Sequence, residues 1–190
     1  MSGVQIVEFD LRRGTVDGLR IVTPKQVTDD RGTIRELFRA SAFASVGVEL
    51  APFAQINLTE SRYGAVRGLH AEAMTKLVTV VTGEAFGAFV DLRTESPTFG
   101  AIDTVALVPG VQVLVPAGVA NGFQTLSEIS QYVYCFDEEW RPGMPGVACN
   151  PLDPTLAIPW PLPIDADDPA MLSVKDRTAP TFDELKESLT

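Results

Sequence analysis

From Val4 to about Phe136 the chain alternates short runs of β-branched and aromatic residues with Gly, Pro, Asn and Asp breaks, and this rhythm limits the folds open to it. Runs such as Leu77 to Thr82 (LVTVVT), Ala85 to Leu92 (AFGAFVDL), Ile102 to Val108 (IDTVALV), Val111 to Val115 (VQVLV) and Gln131 to Phe136 (QYVYCF) are too short for helices and are bounded by turn residues. Such segments can bury their apolar side chains only by pairing. The expected architecture is therefore all-β, an antiparallel sandwich or small barrel. Helix signal is confined to Ser41 to Val46 and to Phe182 to Leu189, where Thr181 and Glu184 form a capping box. Between Pro142 and Pro180 proline and acid are dense, but interleaved Leu, Ile and Trp residues predict a tail that wraps the β-core rather than a linker.

With 190 residues, 45% of them hydrophobic, the chain can bury one substantial core, so a single domain over 1–190 is expected, with its core at about 20–140 and the wrap at about 141–190. The N-terminal residues lack a basic start followed by an apolar stretch, and no segment reaches the roughly 18 apolar residues of a membrane span. A cytoplasmic protein is expected, with no membrane partner. The formal charge of −10 works against nucleic acid as a partner, so an anionic ligand needs a local group of arginines. Cys135 and Cys149 are the only cysteines and read as reduced packing residues. The chain has a single histidine, His70, so a two-His or three-His metal centre is impossible within it, and no metal or cofactor is expected.

The block Val66 to Lys76, VRGLHAEAMTK, resembles the dTDP-4-dehydrorhamnose 3,5-epimerase family, and the resemblance continues along nearly the whole chain. Asp30-Arg31-Gly32 with Glu36 and Phe38 is similar to the family's D-x-R-G-x-x-x-E segment; Gln55 and Asn57 precede RGLH at the family's spacing. Gly83-Glu84, Asp91-Leu92-Arg93 and Ser96 to Gly100 follow in family order. Pro116 to Phe123 resembles P-x-G-x-A-H-G-F, Asp153 to Pro161 resembles D-P-x-L-x-I-x-W-P, and Leu172 to Pro180 resembles L-S-x-K-D-x-x-A-P. The resemblance implies a cupin-type jelly roll, a double-stranded β-helix sandwich, with few helices. It also implies an isomerase that epimerises a dTDP- or GDP-linked 4-keto-6-deoxy sugar in carbohydrate biosynthesis, working as a homodimer.

Epimerising a carbon beside a ketone takes a base, a group that holds the enolate oxygen and an acid on the opposite face. The resemblance implies His70 as base, Asp153 as the carboxylate that orients it, Lys76 facing the enolate and Tyr134 as acid. Tyr132 points to the same side of its strand, and only the gapless register from Pro116 selects Tyr134. Arg67 is implied as a phosphate ligand beside Gly68, Arg31 and Glu36 as reaching a neighbouring subunit's site, Gln55 and Asn57 as binding diphosphate or sugar hydroxyls, Asn121 as a further substrate-binding residue, and Trp140 as a nucleobase platform. The chain departs from the family in two places. The segment from His70 to Lys76 is shorter than the usual Pro-rich loop, and Asn121 replaces a second histidine, as in the branch acting on ketoheptose nucleotides. Inversion at C3 is therefore expected ahead of C5. A ketoisomerase, or a sugar-nucleotide-binding cupin without turnover, are the competing readings.

Overall fold

A computed structural model describes residues 3–189; Met1, Ser2 and Thr190, the ends of the expected domain, lie outside them. The strands are β1 (Gln5–Val7), β2 (Asp10–Arg13), β3 (Arg20–Thr23), β4 (Gln26–Asp29), β5 (Gly32–Arg35), β6 (Gln55–Arg62) and β7 (Val66–Glu72). They continue with β8 (Lys76–Thr82), β9 (Ala85–Asp91), β10 (Ile102–Leu107), β11 (Gln112–Val115), β12 (Val119–Thr125), β13 (Ile129–Phe136) and β14 (Gly146–Ala148). Helices are short: α1 (Ala40–Ser45), α2 (Val174–Arg177) and α3 (Phe182–Leu189). Among the described residues these strands pair antiparallel throughout.

A five-stranded sheet in the order β10-β9-β12-β7-β14 faces a six-stranded sheet in the order β2-β3-β11-β8-β13-β6, while β1, β4 and β5 form a small sheet apart. Val78, Val80, Phe89, Leu107, Val113, Phe123 and Tyr132 fill the space between the two large sheets. Removing each such side chain from water stabilises the fold by about 1.5–3 kcal/mol. The five-stranded sheet is covered on its outer face too, where Leu69, Ala88, Val90 and Ala120 meet Leu156, Ile158 and Leu185 of the tail. A sheet buried on both faces loses in/out alternation, which is why β12 is buried at every position. The proline-rich tail is packed, as its apolar residues predict: Gln124 exchanges hydrogen bonds with the Leu162 backbone, and the Trp160 indole donates to the Pro151 carbonyl. The box at α3 forms as expected, with Thr181 N donating to Glu184 at 2.8 Å.

The D-L-R…S-P-T segment is a knot at the end of β9. The Asp91 carboxylate, fully buried, accepts from Arg93 Nε at 2.8 Å and from the Ser96 and Thr98 hydroxyls. Burial alone would raise its pKa, but the bonds from Arg93, Ser96 and Thr98 prevail and pull it down to about 2. A carboxylate depressed in the folded state contributes stability above its unfolded pKa and loses it as pH falls through the folded value. Between about pH 5 and pH 2 the parent protein is expected to lose about 2 kcal/mol through this group, a loss absent from Asp91→Asn. Urea midpoints across that range check it, and parallel pH profiles for the two proteins would refute it.

Candidate active site

His70 lies in the five-stranded sheet between Asn121 of β12 and Ala148 of β14. The strands β7 and β12 approach closely beside it: a Cβ on Gly68, which has φ +114°, would stand 2.6 Å from Gly122 Cα and 2.7 Å from the Asn121 carbonyl. Only glycine tolerates both that backbone conformation and that proximity. The G of R-G-L-H thus sets where the histidine sits.

Between the open ends of the sheets runs a cleft of about 410 Å³, lined by Asn57 and Thr59 of β6, Arg67, His70 and Glu72 of β7, Tyr134 and Phe136 of β13, Trp140, and Met171, Ser173, Lys175 and Asp176 of the tail. His70 Nε2 is 2.7 Å from Asp176 Oδ1. Burial would raise the Asp176 pKa, but hydrogen bonds from His70, the Ser173 hydroxyl and the Gly68 amide, with the charge of His70, hold it below the ordinary carboxylate value. An ionised carboxylate only accepts, so Nε2 donates and Nδ1 is left as the basic nitrogen. Ser173 caps α2 and accepts from Asp176 N at 3.1 Å, which fixes the aspartate on its short helix.

Asp153, expected to orient His70, does not. Its Oδ1 accepts from Leu156 N and its Oδ2 from Phe182 N, both at 2.8 Å, so it closes the Asp-Pro turn and caps α3. Tyr134 and Tyr132 project to the same side of β13 as their spacing implies, but only Tyr134 lines the cleft. Tyr132 is fully buried and stacks on Phe123 with centroids 4.1 Å apart. Tyr134 in turn lies between Tyr132 and Phe136, at 4.7 and 5.7 Å, so its ring is held in an aromatic row. Burial raises the Tyr134 pKa; Arg67 opposes this, and the negative charges of Glu72 and Asp176 add to it. The phenol therefore keeps its proton until a strong base demands it.

Lys76, expected to face the enolate, is 2% exposed and sits behind the cleft wall. Its ammonium donates to the His70 carbonyl at 3.1 Å, to Asn121 Oδ1 at 2.7 Å and to the Glu72 carboxylate. Arg67 lines the cleft, with Nε donating to the Ser61 hydroxyl at 2.8 Å. Asn57 and Trp140 line the cleft. Gln55 does not, but tethers both, donating to Asn57 Oδ1 at 3.0 Å and accepting from Trp140 N at 2.8 Å. Arg31 and Glu36 lie outside the cleft, in ion pairs with Asp29 and Arg39. Two cleft residues, Lys175 and Asp176, carry no role in the sequence reading. The only signal for them is the L-S-x-K-D block, since His70 and Asp176 are 106 positions apart.

A jelly roll holding a histidine–aspartate pair and a half-buried tyrosine over one cleft, with cations at its wall, is built for proton transfer at a carbon of an anionic ligand, as in the sugar-nucleotide epimerases. The family model for dTDP-4-dehydrorhamnose 3,5-epimerase matches residues 13–184. The dTDP-4-dehydrorhamnose 3,5-epimerase of Mycobacterium tuberculosis is 35% identical over 179 residues, which cover 91% of this chain and 87% of that one. NovW, a 4-keto-6-deoxy sugar epimerase from the novobiocin cluster of Streptomyces spheroides, superposes with a TM-score of 0.88 at 31% identity, covering 97% of this chain and 92% of its own. ChmJ, a 3'-monoepimerase from Streptomyces bikiniensis solved with dTDP-quinovose, gives 0.84 at 30% identity, covering 92% and 89%. The chain belongs to the dTDP-4-dehydrorhamnose 3,5-epimerase family, whose members are isomerases.

Proposed function

We propose that this chain inverts C3 of a dTDP-linked 4-keto-6-deoxyhexose. The observation that carries the reading is the meeting of the His70–Asp176 pair and Tyr134 in one cleft. His70 Nδ1 takes the proton from the carbon beside the ketone, and the electron pair moves onto the ketone oxygen as an enolate. Asp176 steadies the imidazolium so formed. Tyr134 then returns a proton on the opposite face; the phenolate is reprotonated from solvent and the imidazolium gives its proton to solvent. Arg67 and Lys175 take the diphosphate, and exposed Trp140 offers its ring to thymine. Asn121 holds Lys76 by its amide oxygen and cannot titrate, which favours C3 over C5. The cytoplasm is the proposed location, in keeping with relatives that act on nucleotide sugars.

The proposed unit is a homodimer. Ile34 on the β4–β5 hairpin and Ile56 on the edge strand β6 are 72% and 65% exposed, an apolar display that a second copy would cover. Exposed Arg31 on the same hairpin would then reach the second copy's cleft. Light scattering is expected to give a dimer, and a fully active monomer would exclude that role for Arg31. The activity itself is tested by NMR after incubation with dTDP-4-keto-6-deoxy-D-glucose: altered ring proton couplings, diagnostic of an inverted C3, are expected. An unchanged spectrum, with the GDP-linked counterpart also unconverted, would reject it.

A further inference from the structure

An ammonium carries three N–H donors, and those of Lys76 are already taken by the His70 carbonyl, Asn121 Oδ1 and the Glu72 carboxylate. A cation that steadies an enolate needs a donor aimed at the substrate oxygen, so one of these acceptors must give way. The His70 carbonyl is β7 backbone, and Asn121 is buried on β12. Glu72 is different. It ends β7, is partly exposed, and lines both the cleft and a neighbouring cavity of about 480 Å³ that also touches His70. That cavity is also walled by Arg141 and Lys175, neither of which is in an ion pair among the described residues.

We propose that Glu72 is a positioning residue for the epimerisation: its carboxylate keeps Lys76 charged in the empty site, then yields one N–H to the sugar's ketone oxygen and turns toward Arg141. The inference rests on the activity proposed above. Burial presses Lys76 toward the neutral amine, and the charge and hydrogen bond of Glu72 oppose it. The other titratable and charged groups around the pair are His70 and Arg67 on β7, Tyr132 and Tyr134 on β13, Asp137 just beyond it, Arg141, and Lys175 and Asp176 on α2. From β12 and β11 come only uncharged Asn121 and Val115. Glu72 is thus the counter-charge in direct contact with the ammonium.

Removing that charge without changing shape should let Lys76 lose its proton at lower pH. In Glu72→Gln the alkaline limb of kcat/KM, which reports the empty site, is expected to move down by at least about one pH unit, with a loss of about tenfold or more near pH 9 and a smaller loss near pH 6.5. Tyr134 also feels Glu72, so a direct reading of the lysine is required. The chain has only four lysines, and ¹³C labelling resolves their Cε signals, that of Lys76 being assigned by its disappearance in Lys76→Met. Its titration midpoint should fall by about one pH unit or more in Glu72→Gln and hold in Glu72→Asp, which keeps the charge. An unmoved midpoint in Glu72→Gln, or a fall as large in Glu72→Asp, would overturn the role. Because the titration needs no turnover, failure of the activity reading shows as an inactive parent protein, and failure of this inference as an unmoved lysine in an active one.

Discussion

His70→Asn is expected to abolish solvent exchange at every carbon of the sugar, with a fall in kcat of about 10³-fold or more and nucleotide binding within a few-fold of the parent. No other imidazole exists in the chain to take over. The asparagine keeps a polar group of similar reach on β7, so the Gly68–Gly122 approach and the sheet register survive. Asp176→Asn should reproduce most of the loss, because an amide at that position can no longer stabilise the imidazolium. Asp153→Asn should instead lower the melting temperature, since Asp153 binds the Leu156 and Phe182 amides and not His70. Kinetics and melting curves on the three variants decide the matter. If Asp153→Asn lost turnover while Asp176→Asn kept it, the pairing at His70 would be misassigned.

Tyr134→Phe should separate proton removal from inversion. Its ring is held by Tyr132 and Phe136, so the phenylalanine keeps the packing and loses only the acidic hydrogen. His70 still removes the proton and returns one to the same face. Deuterium should therefore enter C3 at a rate within about tenfold of the parent, while epimer formation falls about 10²-fold or more. Tyr132→Phe is expected to leave inversion intact, because its phenol is buried against Phe123 and away from the cleft. The reverse result for the two tyrosines, read by NMR of the sugar, would make Tyr132 the acid.

The strand-forming runs were legible because β-branched and aromatic residues bounded by turn formers can be little else: LVTVVT became β8 and QYVYCF the body of β13. The segment VANGFQT was not legible as a strand. Its Asn-Gly pair reads as a hairpin turn, and burial on both faces erases alternation, yet it is the centre of the five-stranded sheet and carries Asn121 opposite His70. His70 could be picked out because it is unique and sits in R-G-L-H. Its partner could not, since contact across 106 positions leaves no periodicity and α2 is too short to show one. A carboxylate in a D-P turn was the more visible candidate, and the turn is what Asp153 serves. Lys76, the first residue of β8, is turned inward by the pleat and buried against Glu72 and Asn121, a contact that no local pattern announces.

The most direct measurement is the position of deuterium after the protein is incubated with dTDP-4-keto-6-deoxy-D-glucose in deuterated water. Abstraction by His70 and delivery by Tyr134 from solvent require deuterium at C3 of a product with inverted configuration there, appearing with the epimer and absent when His70→Asn replaces the parent. With Asn121 in place of a titrating group, incorporation at C5 is expected to be slower than at C3. Epimer that forms without solvent deuterium at C3, or a sugar that stays fully protonated in the presence of the folded protein, would contradict proton transfer by this cleft.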